Sequence, residues 1–76
     1  VPHNLLVYLR RVLAERFSPA ELQMLCFDLG VSYDNLGANE HGLKALQLLQ
    51  TLERTNRIDE LIAFGQALRP DIDWQV

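Results

Sequence analysis

The sequence predicts an all-α fold, a compact helical bundle, and three observations carry that prediction. Apolar residues recur at three- and four-residue spacing through four segments of the chain. Helix punctuation stands at the ends of these segments, as Ser18-Pro19 and Glu21, Gly30, Asn56 and Pro70. Nowhere does an apolar–polar alternation run long enough for a strand, and there is no internal repeat or low-complexity stretch.

The first helix is expected from about Asn4 to Arg16. Leu5, Leu6, Leu9, Val12 and Leu13 cluster on one face, with Tyr8 and Phe17 at its margins. Its other side carries Val7, Arg10, Arg11 and Ala14, and paired arginines beside small apolar residues fit either a solvated face or a docking surface.

The second helix, Pro19 to Leu29, has both ends written into the sequence. Ser18 is suited to N-cap, Pro19 to the first helical position, and Glu21 completes a capping box, while Phe17 is placed to staple onto Leu22. At the other end Gly30 supplies a left-handed residue and Val31 the apolar fold-back of a Schellman motif. Leu22, Leu25, Cys26 and Leu29 form one apolar stripe, and Ala20, Met24 and Phe27 fall on the opposite side. A helix apolar on two sides is usually central in its bundle, so of the two readings of Phe27, burial and a partner-binding patch shared with Met24, burial is favoured. Met24 stands open between burial and a partner-binding patch.

After Gly30, Val31 to Leu36 is long enough for one turn only, with Asp34 as its expected cap. Gly37 to Gly42 reads as a mobile polar connection without the spacing of a phosphate-binding loop. A third helix follows from about Leu43 to Thr55, with Ala45, Leu48, Leu49 and Leu52 inward and Lys44, Gln47, Gln50, Thr51 and Arg54 outward. Asn56 then offers a left-handed C-cap. Asp59 and Glu60 favour the start of a fourth helix, about Ile58 to Leu68, which Pro70 ends. Trp74, in the short tail beyond, is expected to fold back onto the bundle. Leu22, Leu25, Cys26, Leu29, Leu48, Leu49, Leu52, Leu61 and Ile62 are the expected core.

Composition narrows the function classes. With 76 residues, 49% hydrophobic and 22% charged, the chain has the makings of one folded domain, residues 1–76, without room for a large substrate cleft. Starting at Val1 rather than at methionine, it reads as a piece of a longer multidomain protein. Ten acidic residues against seven basic give a formal net charge of −3, which removes the positive field that non-specific nucleic-acid binding needs. A small helix-turn-helix reader built on Leu43 to Thr55 is the alternative function, and this charge balance opposes it. No apolar run approaches the roughly 20 residues of a membrane span. A single cysteine, Cys26, on an apolar stripe is expected to be a reduced, buried thiol of a cytoplasmic protein.

No constellation for chemistry emerges. Cys26 with His3 or His41 lacks an orienting third group, and the two histidines lack zinc-binding spacing, so catalytic residues, metal and cofactor are all expected to be none. The carboxylates are explained as caps, first-turn charges and solvated faces.

Four stretches together resemble the bacterial effector-associated domains: Leu25-Cys26-Phe27-Asp28-Leu29-Gly30-Val31, Tyr33-Asp34-Asn35-Leu36, Arg57-Ile58-Asp59-Glu60-Leu61, and Leu68-Arg69-Pro70-Asp71-Ile72-Asp73-Trp74. Gly37-Ala38-Asn39-Glu40-His41-Gly42 departs from the Gly-Glu-Gly-Lys-like run expected of that loop. The resemblance implies a death-fold-like antiparallel bundle of about five to six helices and an adaptor role in bacterial conflict systems. The implied partner is another such domain or a copy of this one, with no nucleic acid, membrane or small-molecule substrate. Complementary charge would then set orientation, which nominates Val7, Arg10, Arg11 and Ala14 on one surface and Met24, Asp28, Asp34 and Glu40 on another.

Overall fold

The computed structural model describes residues 2–37 and 40–74. Its elements are α1 (His3–Glu15), α2 (Pro19–Leu29), a 3₁₀ turn (Tyr33–Leu36), α3 (His41–Arg54) and α4 (Ile58–Leu68). Among the described residues there are thus four α-helices, one 3₁₀ turn and no strand, against the five to six helices implied by the resemblance.

Local chemistry accounts for most of these limits. The Ser18 hydroxyl accepts from the Glu21 N–H at 3.2 Å and the Glu21 carboxylate accepts from the Ser18 N–H at 2.9 Å, so the capping box is complete. Gly30 adopts φ 74°, and the Gly30 and Val31 N–H groups donate to the Phe27 and Cys26 carbonyls, the two bonds of a Schellman motif. Asn56, at φ 60°, closes α3 in the same way, with Asn56 N–H to Glu53 and Arg57 N–H to Leu52. The Arg57 guanidinium then donates to the Leu29 carbonyl at 2.6 Å, satisfying a helix-end acceptor that α2 leaves open.

Two expectations about the middle of the chain are corrected. Asp34 lies inside the 3₁₀ turn and caps nothing; Ser32 precedes the turn without a side-chain cap bond. The connection after Gly37 is shorter than expected, because His41 and Gly42 already belong to α3 and His41 Nε2 donates to the Leu13 carbonyl at 2.9 Å. His41 is therefore half-buried at a helix start and not a solvated loop residue. Ala38 and Asn39 of that loop lie outside the described residues.

The helices are arranged as two pairs, α1 against α3 and α2 against α4, with α2 also touching α3. A radius of gyration of 11.0 Å agrees with the roughly 11.4 Å expected of a chain this long. Leu9, Leu13, Leu22, Leu25, Cys26, Leu48, Leu52 and Leu61 are completely enclosed, and Leu29 and Leu49 nearly so. Ile62, expected in the core, is only partly buried at its edge, because Ile58, Leu61 and Gly65 form the innermost line of α4.

The C-terminal segment completes the core. Trp74 is 1% exposed, meets Phe17 edge to face at 5.6 Å between centroids, and donates from Nε1 to the Arg69 carbonyl at 3.0 Å. Gly65 makes the slot: a Cβ there would lie 2.6 Å from the indole ring. Arg69 holds the segment from outside, donating to the Arg16 carbonyl and to the carboxylates of Glu21 and Asp71. The Tyr8 hydroxyl donates to the Asp73 carbonyl, tying α1 to the same segment.

Candidate functional site

The second apolar stripe of α2 faces outward. Leu22, Leu25, Cys26 and Leu29 consume its inner face, and the residues between them at the same helical spacing, Ala20, Gln23, Met24, Phe27 and Asp28, line a shallow depression on the outside. Phe27 is 84% exposed and Met24 51%. The reading of Phe27 as buried is thus corrected. In a bundle of two helix pairs each helix has neighbours on one side only, and α2 turns the stripe with four large buried groups inward.

A second concave feature lies where α1 meets α3. His3, Leu6, Val7 and Arg10 from α1, with Leu46, Leu49, Gln50 and Glu53 from α3, line a groove of 320 Å³. Its apolar base comes from Leu6, Val7, Leu46 and Leu49, and its charged rim from Arg10 and Glu53. Val7 and Arg10 were expected on an outward face; both are half-buried because α3 packs alongside them.

The charges fall into two groups. Arg16, Arg57 and Arg69 are committed to ion pairs within the chain, with Asp71, with Glu60, and with Glu21 and Asp71 respectively. Lys44 donates to the Tyr33 carbonyl at 3.2 Å and lies 4.4 Å over that ring, which takes it out of the charged surface expected of α3. Among the described residues Arg10 and Asp28, like Arg11, Glu15, Asp34, Glu40, Glu53, Arg54 and Asp59, are in no ion pair or side-chain hydrogen bond. Asp28 also occupies the last turn of α2, where the negative end of the helix dipole disfavours an anion by about 0.3–1 kcal/mol. Among the described residues no side chain is paired with it.

The nominated residues are therefore divided. The structure brings Val7 and Arg10 together in the groove and Met24 and Asp28 together on the outer stripe. Arg11, exposed, and Ala14, half-buried, line neither feature. Asp34 is exposed in the 3₁₀ turn, and Glu40 is exposed at the N-terminus of α3, where the dipole favours its charge. Reasoning from the sequence favoured burial for Phe27, placed Leu6 on the core face and Gln50 on an outer face without joining them to a groove, and did not place Leu46. The 20-23-24-27-28 spacing on α2 was the available signal for the first of them.

Of the groups considered for chemistry, His41 has its Nε2 engaged by the Leu13 carbonyl. Cys26 is buried with its thiol pushed up to about 11 by desolvation, which keeps it protonated and unreactive. Among the described residues no three His, Cys, Asp or Glu side chains are grouped to hold a metal ion, and no helix is long and apolar enough to cross a membrane.

A family model described as Effector-associated domain 7 matches residues 9–70, which include most of α1 and all of α2, α3 and α4. The chain belongs to this family of bacterial effector-associated domains. Comparison with curated proteins and with solved structures gave no significant match. The match ends at Pro70, before the buried Ile72 and Trp74.

Proposed function

We propose that this domain is a non-catalytic protein–protein interaction module, an adaptor of death-fold-like kind, that binds another effector-associated domain or a copy of itself. Through that binding it recruits or clusters effector enzymes in a bacterial defence or signalling system in the cytoplasm. Family membership over residues 9–70 is the observation that carries this reading. The two exposed features support it: each is partly apolar, and each carries a charge that is unpaired among the described residues. The net charge of −3 favours a protein partner over nucleic acid.

Val7, Arg10, Arg11 and Ala14 form one side of the proposed contact, and Met24, Asp28, Asp34 and Glu40 the other. Exposed ion pairs contribute little singly, so specificity comes from charge pattern while affinity rests on the apolar groups. The test is light-scattering mass measurement of the purified domain, alone and mixed with effector-associated domains encoded by neighbouring genes. A rise in mass in any mixture, or with concentration alone, is expected. A strictly monomeric domain that binds none of them, while co-eluting with nucleic acid, would point to the helix-turn-helix reading instead.

A further inference from the structure

We infer that the partner is a second copy of this chain, and that the contact is made by the outer stripe of α2 on one copy seated in the α1–α3 groove of the next. This inference rests on the adaptor reading and names its two surfaces. Phe27 and Met24 supply apolar groups that the fold leaves exposed, and the groove offers Leu6, Val7 and Leu46 to cover them. At 320 Å³ the groove is at the lower end of pocket sizes, about 300–1,000 Å³, and so fits one or two side chains rather than an elaborate ligand.

Charge selects a second copy as the occupant. The groove rim carries Arg10, unpaired within the chain, and the stripe carries Asp28, also unpaired and held at the wrong end of a helix dipole. Bringing the two together relieves Asp28 and seats Phe27 in the same motion. The other titratable groups of the groove set the register: Glu53 repels Asp28, and His3 does not, so Asp28 is directed to the Arg10 part of the rim.

The two surfaces belong to different helix pairs, and a head-to-tail contact between them leaves the groove free on one copy and the stripe free on the other. A standard interface of about 800 Å² per partner would cover roughly a sixth of the 4680 Å² surface, and both can be occupied on one copy. Such a contact grows into a ring or an open filament, and weak single contacts then concentrate whatever is attached to the domain.

A charge exchange tests the register directly. Sedimentation velocity over a concentration series is expected to show self-association of the 76-residue chain, weakened by salt. Phe27→Ser, Arg10→Glu and Asp28→Arg should each raise the apparent dissociation constant by more than about tenfold, with circular dichroism and melt unchanged. When Arg10→Glu is mixed with Asp28→Arg, the glutamate-bearing groove of the first variant accepts the arginine-bearing stripe of the second. The intact Arg10 of the second variant likewise meets the intact Asp28 of the first, so the mixture should assemble in alternation while neither variant does alone. Assembly of all three single variants like the wild type would overturn the surfaces while leaving homotypic binding intact. A wild-type chain that stays monomeric yet binds a different effector-associated domain would overturn the second copy as partner and leave the adaptor reading standing. Failure to bind anything would remove both.

Discussion

The C-terminal segment and the outer face of α2 each present a large aromatic residue, and the fold treats them oppositely. Trp74 is 1% exposed and Phe27 84%. Trp74 is buried because the rest of the chain prepares a place for it: Gly65 leaves the slot empty, Phe17 provides an edge, the Arg69 carbonyl accepts the indole N–H, and the Arg69 side chain anchors the segment to α1 and α2. Phe27 has no such place, since the neighbours of α2 all lie on its other side. Hydrophobicity drives both residues toward cover; only one finds it within its own chain.

The largest expected effect falls on the buried member of the pair. Trp74→Ala should cost about 3–5 kcal/mol, lowering the thermal midpoint sharply, because it removes an indole and leaves a cavity beside Phe17. Wild-type emission should accordingly be blue-shifted. Free-tryptophan emission from the folded wild type would break the comparison at once.

Filling the slot from the other side should act in the same direction, with a smaller magnitude. In Gly65→Ala the new methyl would meet the indole at 2.6 Å, an overpacking expected to cost about 1–3 kcal/mol and to disturb Trp74 emission. An unchanged melt would mean that the segment moves aside freely.

Acid should loosen the segment next. The backbone hydrogen bond from Ser18, and then Arg69, hold the Glu21 carboxyl below its usual range, and the Arg69 hydrogen bond does the same for Asp71. A lowered folded-state value means stability that is present above the ordinary carboxylate range, near pH 4, and is lost as pH falls through the folded value. The melting temperature should therefore drop on acidification toward about pH 3, and Glu21→Gln should flatten that dependence. An identical pH profile for the variant would remove Glu21 from the clamp.

On the exposed side, Phe27→Ser should change stability by no more than about 0.5 kcal/mol while weakening self-association by more than about tenfold. This smallest stability effect sharpens the comparison most, since a destabilised variant would show that Phe27 supports the fold after all.

Much of this molecule was legible in its sequence by itself. The capping box at Ser18 and Glu21, the left-handed closures at Gly30 and Asn56 and the stop before Pro70 delimit α2, α3 and α4 through chemistry confined to a few neighbouring residues, and the limits of α2 and α4 match those expected. The inner faces of the helices were equally readable, because burial repeats at the helical period. Tertiary structure alone decided the rest. Which of the two apolar stripes of α2 turns inward depends on how many helices surround it; the inclusion of His41 in α3 depends on a carbonyl 28 residues away, and the groove that gathers Val7, Arg10 and Leu46 exists only once α1 lies on α3. Periodicity assigns residues to faces, but a face becomes core or surface only when the remaining chain covers it or leaves it bare.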